Sequence, residues 1–519
     1  MLPSPSSSPI PISHHVLHER TNVLQECAST PPFKLPTQLP TPPKHSGVKR
    51  VLASSRNNGS IKRLKLSHEI EKDHGDEEEE DNGFTPKPTK ERRRKPSLWP
   101  HDPYQRSIAP TVSTRPILQS FVSSNKSDTF KCESIFTGGF LTPPYACAYS
   151  HGAKAGGLPL LAVATEQGSV HLLDTRARQD WDVEPPRKTL QPHSNAIFHV
   201  SWSQADDLLA TCSGDYYSKI SKVSTGQVLH SLRGHSGTVK CAAWSPTNDN
   251  LLATGGRDGT VCIWDLRAGE NRNAEEPSTV GPVMTIQGAH DASLGRTKHC
   301  KPPSVTNILY SGSDFVTTSG SFDGILRTWD LRLLTNKKSF SRGKGKRSAP
   351  LHLSPFDPTV ADEGKRARGI LSLVQGTGAT SGLLLALGAN SRIHTYSASS
   401  LTPLRASYAH KNLRVNGSFY LNMAISPCGR WLANGNGGRD GSCFLYDVAD
   451  AGRPSAQSGS GIQIRGQSGE VAAADWAEST LATCADDGTV RVWRPDVETY
   501  RRCLEAPEEE KWNWTWSLS

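Results

Sequence analysis

The sequence predicts an all-β fold, a seven-bladed β-propeller preceded by a disordered N-terminal extension. A unit with three short alternating stretches, each typical of a strand, recurs along the chain. Turn pairs such as Asp258-Gly259 precede the third stretch, where glycine accepts the positive φ of a tight hairpin turn. The composition agrees, since 44 Gly and 36 Pro among 519 residues favour a fold rich in turns.

The clearest unit spans residues 234–267. It opens with Gly234-His235 and closes with Trp264-Asp265, and such pairs at a period of about 40–45 residues are the signature of a WD-repeat blade. In these blades a His, a Ser or Thr, the turn Asp and the Trp form one buried hydrogen-bonded chain, which is stable only when every member is satisfied. The corresponding residues here are His235, Thr254, Asp258 and Trp264.

A catalytic role for the same residues is the alternative interpretation. His235 and Asp258 would then be the base and its orienting carboxylate, with Ser236 or Thr254 as the nucleophile. A triad is defined by geometry rather than by sequence. The structural interpretation, by contrast, accounts for every residue of the set.

Six further blades are predicted from the same pattern. They span residues 145–175, 193–225, 290–332, 368–396, 410–448 and 464–494, and the one at 368–396 lacks the turn Asp-Gly. A strand within residues 130–141 is expected to complete the last blade, because a closed ring leaves few exposed edges. The propeller is therefore assigned to residues 126–495.

Residues 1–125 are predicted to be disordered, because they are rich in Pro and Ser and carry blocks of like charge. Two basic pairs with a short spacer, followed by a further basic run, resemble a bipartite nuclear-import signal, so a nuclear location is expected. The alternative is a solvated basic tail. The basic residues are Lys49, Arg50, Lys62, Arg63, Lys65, Arg92, Arg93, Arg94 and Lys95.

Two insertions and a short tail complete the chain. One insertion, 291–303, interrupts the blade at 290–332. The other, 333–365, follows that blade and is basic. It is either a solvated loop or a contact for phosphate or an acidic surface. In the tail, 496–519, three tryptophans alternate, so they share one face of an extended segment and either pack on the propeller or bind a partner.

Several classes of function are not expected. No run of 18 apolar residues exists, so no transmembrane helix or membrane partner is predicted. The 11 cysteines include no Cys-x-x-Cys pair, and no nucleotide loop, zinc-protease motif or nucleophile elbow occurs. We therefore expect a non-catalytic protein without a cofactor or metal.

The turns before the third strands are expected to lie together on one face of the ring. A mixture of aromatic and charged side chains there suits a peptide or protein ligand, because such anchors carry most of the binding energy. The candidates for this substrate face are Glu166, Tyr216, Arg257, Phe322, Asn390, Arg439 and Asp486.

Two features narrow the function further. Residues 142–175, TPPYACAYSHGAKAGGLPLLAVATEQGSVHLLDT, closely resemble the first blade of the denticleless family of WD-repeat proteins. The stretches GGRDGTVCIWDLR (255–267) and GSFDGILRTWDLR (320–332), with Gly-Ala-His at 288–290 between them, follow the order seen in the same family. The resemblance covers roughly residues 140–495.

The resemblance implies a substrate receptor of a cullin-4-type RING ubiquitin ligase. Family members dock on the DNA-damage-binding adaptor and recognise degron-bearing proteins held on the chromatin-bound sliding clamp, among them replication and cell-cycle proteins. Chromatin association would then be indirect. The sequence differs from animal members in its long N-terminal extension and in lacking their long C-terminal tail with a clamp-binding motif. The alternative is a WD-repeat scaffold of another nuclear complex, in chromatin or ribosome assembly.

In this family a repeated Trp-Asp-x-Arg element marks the adaptor-docking surface. Each arginine follows its Trp-Asp pair by two positions, so it is expected on the face opposite the turns, where it can make bidentate contacts. Alternatively, each arginine merely pairs with its own aspartate. The residues of the two elements are Trp264, Asp265, Arg267, Trp329, Asp330 and Arg332.

Overall fold

The computed structural model describes residues 113–135, 138–269, 276–291, 302–335, 349–360, 366–415, 420–454, 456 and 458–518. Within these residues the strands form seven sheets arranged as the blades of a β-propeller, which confirms the predicted fold. None of the helices in these ranges has both the length and the apolar character needed to cross a membrane.

The strands are short and follow one another with few intervening helices. The first are β1 (Phe121–Ser124), β2 (Thr129–Lys131), β3 (Pro144–Tyr149), β4 (Leu160–Thr165), β5 (Val170–Asp174), β6 (Lys188–Leu190), β7 (Ile197–Trp202), β8 (Leu208–Ser213), β9 (Tyr217–Lys222), β10 (Val228–Arg233), β11 (Val239–Trp244), β12 (Leu251–Gly256), β13 (Val261–Asp265), β14 (Ser278–Val280) and β15 (Met284–Ile286). The next are β16 (Val305–Ser311), β17 (Phe315–Gly320), β18 (Arg327–Asp330), β19 (His352–Leu353), β20 (Ile370–Gln375), β21 (Leu383–Gly388), β22 (Arg392–Ser397), β23 (Pro403–Ala409), β24 (Met423–Ile425), β25 (Trp431–Asn434), β26 (Ser442–Asp447), β27 (Gly459–Ser460) and β28 (Ile462–Arg465). The last are β29 (Val471–Trp476), β30 (Leu481–Ala485), β31 (Thr489–Pro495) and β32 (Trp514–Thr515). The helices are α1 (Arg115–Gln119), α2 (His151–Lys154), α3 (Leu331–Thr335), α4 (Val497–Glu505) and α5 (Pro507–Glu510), with 3-10 turns at Leu266–Ala268 and Gly378–Thr380.

Each blade is an antiparallel sheet whose strands run outward from the central channel. The first six blades are β3-β4-β5-β6, β7-β8-β9-β10, β11-β12-β13-β15, β16-β17-β18-β19, β20-β21-β22-β23 and β24-β25-β26-β28. Two of them gain a fifth, parallel strand, β14 on β10 and β27 on β23. The core lies between the blades, where apolar residues of adjacent sheets pack face to face.

The seventh blade closes the ring with strands from both ends of the chain. β29, β30 and β31 pair in order, and β31 then pairs with both β1 and β2. The propeller thus begins before residue 126, the predicted boundary, and the completing strands lie mostly before the predicted range 130–141. β1 was not predicted, because a strand of four residues leaves little periodicity to detect.

The second predicted insertion, 333–365, also contributes to the propeller. β19 lies inside it and pairs with β18, as Arg327↔Leu353 and Thr328↔His352. A returning loop satisfies the outer backbone groups of β18, which would otherwise be an open edge. The basic residues of this insertion, between 337 and 347, lie outside the described residues.

A tryptophan at the end of three inner strands joins neighbouring blades. In each case the indole Nε1 donates to a backbone carbonyl on the inner strand of the preceding blade. The pairs are Trp202 to Ala148 at 2.9 Å, Trp244 to Ser201 at 3.3 Å and Trp476 to Ala424 at 3.2 Å. These side chains are buried, so each indole contributes apolar contact and also satisfies its one donor.

The alternating tryptophans of the tail have different environments. Trp514 lies in β32, which pairs with β1, and Trp516 packs against Val122 and Cys503. Trp512 instead is 74% exposed and lies beside Lys511, whose Nζ is 5.3 Å from the ring centroid. The tail therefore packs on the seventh blade through two of its three tryptophans.

The buried imidazole of His171 makes a pH dependence of stability testable. Burial, reinforced by the nearby Arg187 cation, lowers its pKa to about 4, against about 6.5 in an unfolded chain. Below pH 6.5 the unfolded state therefore binds a proton that the folded state does not, and stability falls until the pH reaches the folded pKa. Between pH 6.5 and 5 this loss is roughly 2 kcal/mol.

We therefore expect His171→Gln to lose about 2 kcal/mol less stability than the wild type between pH 7 and pH 5, in urea unfolding. The matched control is His352→Gln, because His352 is exposed. Equal pH dependence of the wild type and His171→Gln would contradict the assignment.

Candidate functional site

The predicted hydrogen-bonded chain is present in the third blade. His235 Nε2 lies 2.8 Å from Thr254 Oγ1, which also accepts a hydrogen bond from Trp264 Nε1 at 2.8 Å. On its other side His235 Nδ1 is 3.2 Å from Asp258 Oδ2. Burial opposes protonation, but the hydrogen bond to Asp258 prevails and raises the pKa of His235 to about 9.

The same geometry argues against Thr254 as the nucleophile of a catalytic triad. Thr254 is fully buried and its oxygen is already shared by His235 and Trp264, so no substrate can reach it.

Other blades repeat the arrangement with substitutions. In the second blade His193 bonds Thr211 at 2.9 Å and Asp215 at 2.8 Å. In the seventh, Gln467 takes the place of the histidine and accepts from Thr483 at 2.7 Å.

The turns before the third strands form the rim at one end of the ring. All seven candidates for the substrate face lie in these turns, between the second and third strands of their blades. Most are exposed, including Tyr216, whose φ of 73° is unusual for a residue with a side chain. Their positions are Glu166, Tyr216, Arg257, Phe322, Asn390, Arg439 and Asp486 in blades one to seven.

A repeated β-bulge directs further side chains toward the channel at this end. In six inner strands the pairing register skips one residue just after the strand begins. A bulge re-aims the side chain of the extra residue and is common beside functional sites. The skipped residues are Tyr145, Phe198, Lys240, Thr306, Leu371 and Ala472.

Three aromatic rings stack at this channel mouth. Tyr145 lies between Tyr420 and Phe198, with ring centroids 4.7 and 5.9 Å away. Lys240 Nζ lies 4.7 Å from the centroid of the Phe198 ring, a cation–π contact. Burial lowers the pKa of Lys240 to about 7. These residues also line a small cavity of about 30 Å³.

Carboxylates surround the aromatic stack. The Tyr145 hydroxyl donates a hydrogen bond to Glu166, and burial together with Glu166 raises the pKa of that phenol. The negative charges of Asp486 and Glu470 also raise the pKa of Tyr145 and Tyr420. Burial, with Asp487 and Glu166 nearby, raises the pKa of Asp486 as well. Excess negative charge at a partly desolvated surface favours a cation in a ligand. The structure thus brings Glu166 and Asp486 of the rim together with Tyr145, Tyr420 and Glu470, which the turn pattern did not predict.

The opposite face carries the predicted arginines. Arg267 donates from Nε and Nη2 to the two carboxylate oxygens of Asp265, at 2.8 and 2.6 Å. Arg332 pairs with Asp330 in the same way, at 3.1 and 2.9 Å, and stands over the Phe315 ring. Their side chains remain 64% and 60% exposed. Each arginine is therefore braced by its own aspartate and still presents guanidinium surface to solvent.

A third pair of this kind occurs in the first blade. Arg176 donates from Nε to Oδ1 of Asp174 at 3.1 Å and from Nη2 to Oδ2 at 2.6 Å, and its side chain is 66% exposed. The Trp-Asp-x-Arg pattern did not include this pair, because the residue before Asp174 is Leu173 rather than Trp. The pattern Asp-x-Arg after a third strand would have found it. Three blades, the first, third and fourth, thus present the same braced arginine on one face.

The remaining predicted site residues lie elsewhere. The basic residues of the predicted import signal, between 49 and 95, are outside the described residues. Within the described ranges no group of three or more His, Cys, Asp or Glu side chains could hold a metal ion.

Comparison with known proteins agrees with the resemblance. The WD domain, G-beta repeat family matches residues 184–220, 226–265 and 462–494. Denticleless protein homolog A of Xenopus laevis is 29% identical over 394 residues, which cover 72% of this chain and 50% of that protein. Homolog B of Xenopus laevis is 30% identical over 377 residues, covering 69% and 48%. The Homo sapiens denticleless protein homolog is 28% identical over 376 residues, covering 69% and 47%. The chain thus spans about half the length of the curated relatives it matches.

Proposed function

The propeller of this chain belongs to the denticleless family of WD-repeat proteins, and on that premise we propose that it is the substrate-recognition subunit of a cullin-RING ubiquitin ligase. In this role it catalyses no step itself. It brings degron-bearing replication and cell-cycle proteins, held on the sliding clamp, to a ligase bound through the DNA-damage-binding adaptor.

The observation that carries the proposal is the separation of two differently built faces. The aromatic and acidic mouth lies at the start of the third strands, and the braced arginines follow their ends. A five-residue strand such as β13 separates the two by roughly 17 Å. A receptor that bridges a substrate and a ligase needs two such surfaces that can be occupied together.

The chemistry of the mouth suits a peptide with apolar and basic side chains. Stacked rings offer apolar area at low entropic cost, and tyrosines are common binding anchors. Glu166, Glu470 and Asp486 supply the charge that a Lys or Arg of the peptide would neutralise. This points to a basic degron.

Charge reversal at the mouth is expected to weaken peptide binding. Glu166→Lys and Asp486→Lys should each raise the Kd of a Lys-containing degron peptide by roughly tenfold or more, because like charges then face each other. Fluorescence anisotropy titration measures the change. Glu505→Lys, an exposed position on α4, is the matched control. Equal affinity for the wild type and both mouth variants would remove these residues from the site.

The ligase assignment itself is tested by affinity purification with mass spectrometry. Recovery of a cullin and the adaptor with the full chain supports the proposal. Recovery of chromatin-remodelling or ribosome-assembly subunits without a cullin would favour the WD-repeat scaffold instead.

We place this activity in the nucleus, with indirect chromatin association through the clamp-bound substrate. The support is the basic clusters at 49–50, 62–65 and 92–95, which resemble an import signal. Import through these clusters stays a prediction.

A further inference from the structure

A basic cleft lies on the outer side of the sixth blade, beside β28 and the tail. Its volume is about 570 Å³. Residues of the loop after β23, of β28, of α1 and of the tail line it together. The lining side chains that matter here are Arg115, His410, Lys411, Arg465 and Trp516.

The charge of the cleft is incompletely balanced. Arg465 has a carboxylate partner, Asp440, at 3.5 Å. Arg115 and Lys411 are exposed, and neither pairs with a carboxylate anywhere in the described ranges. Burial lowers the pKa of His410, and the positive charges of Lys411, Arg115 and Arg465 lower it further. Unneutralised cations that line one cleft attract an anionic ligand.

A buried donor in the same cleft also lacks a partner. Trp516 is 9% exposed, and its Nε1 has no hydrogen-bond acceptor among the described residues. Buried polar groups are nearly always satisfied, so such an exception calls for a ligand or water. An ionised carboxylate oxygen is a suitable partner, because it can only accept hydrogen bonds.

The cleft runs beside β28, the outermost strand of the sixth blade. We propose that the cleft formed by Arg115, Lys411, Arg465 and Trp516 binds an acidic, Asp- or Glu-rich segment of a partner protein. The carboxylates of such a segment would meet the exposed cations of the cleft, and one of them could reach the indole N–H of Trp516 if the tail shifts on binding. A nucleic acid fits less well, because Asp440 lies beside Arg465 and the cations form a cluster rather than a stripe along a strand.

The first test compares three labelled probes on the full-length protein. They are a short Glu-rich peptide, its Gln-substituted counterpart and a single-stranded oligonucleotide of equal charge. We expect binding of the Glu-rich peptide that weakens with salt, and little binding of the other two. Preference for the oligonucleotide, or equal binding of the Gln peptide, would overturn the proposal, as would no binding at all.

The second test assigns the binding to the cleft. Arg115→Glu with Lys411→Glu should weaken binding of the Glu-rich peptide by roughly tenfold or more. Lys222→Glu with Arg233→Glu makes the same change of net charge at exposed positions of the second blade and should leave affinity unchanged. Equal loss in both double variants would mean that only net charge matters, and would overturn the site.

Trp516→Phe separates the indole N–H from the ring. Because that N–H has no partner among the described residues, its removal leaves no acceptor unsatisfied, and the melting temperature is measured alongside. We expect weaker peptide binding by the folded variant. Unchanged affinity would show that the indole N–H does not bind the peptide, which contradicts its part in the proposed site.

Discussion

A chain that begins at residue 126 is expected to unfold far more easily than one that begins at residue 113, because only the longer chain keeps β1. Leu118, Phe121 and Val122 are at most 3% exposed, and Phe121 packs edge-on against Trp476 with ring centroids 5.5 Å apart. Burial of each large apolar side chain contributes about 1.5–3 kcal/mol, so roughly 5 kcal/mol or more is lost with the three.

The loss extends beyond these side chains. β1 pairs with β31 on one side and β32 on the other, so its removal also frees the tail that packs through Trp514 and Trp516. The seventh blade then has an open edge where the ring was closed.

Chemical denaturation of the two truncated chains measures the difference directly. Within the chain that begins at residue 113, Phe121→Ala should lower the free energy of unfolding by about 3–5 kcal/mol, which is much of that difference. Ile117→Ala, at a side chain that is 47% exposed, should change the free energy of unfolding little. If the two truncated chains unfold at the same denaturant concentration, β1 does not close the ring.

The third strands and their turns could be predicted from the sequence, and the outer strands could not. A third strand follows a Gly-containing turn and is buried on both sides, so its apolar run is conspicuous, as in β13 (burial of Val261 to Trp264). Outer strands such as β1 and β19 have two to four residues, too few for alternation to stand out. Their place is set by the edge that they cover, which is a property of the assembled sheet.

The channel mouth was missed for a related reason. Tyr145, Phe198 and Lys240 face the channel because the strand bulges at each of them, and a bulge is a feature of pairing between strands. In strict alternation the same positions would point between blades. The rim residues Glu166 and Asp486 were predicted because the turns that hold them have a local sequence pattern.

Arg267→Ala combined with Arg332→Ala is expected to abolish co-purification of the DNA-damage-binding adaptor. Each guanidinium is held in place by two hydrogen bonds to its aspartate, so little side-chain entropy is lost when a partner binds. Arg267 uses two of its guanidinium N–H groups in this way and, among the described residues, has no partner for the other three. Loss of two hydrogen-bonded interfacial charges is expected to raise the Kd for the adaptor by about a thousandfold or more.

The structure extends this expectation to Arg176. Its pairing with Asp174 repeats the geometry of the other two pairs on the same face, so Arg176→Ala should weaken adaptor binding, by less than the double substitution. Arg267→Lys with Arg332→Lys should also weaken binding, because lysine keeps the charge but not the planar fork.

Control measurements distinguish a loss of adaptor docking from a loss of folding in the double alanine variant. Exposed ion pairs contribute only about 0–1 kcal/mol to stability, so the double alanine variant should melt near the wild type and still bind the degron peptide at the opposite mouth. Arg453→Ala is the matched control, because Arg453 pairs with Asp450 at 3.1 Å and is 67% exposed but belongs to no Asp-x-Arg element. Adaptor recovered at wild-type yield with a folded double variant would show that these arginines only brace their own blades, and the docking surface would have to be sought elsewhere.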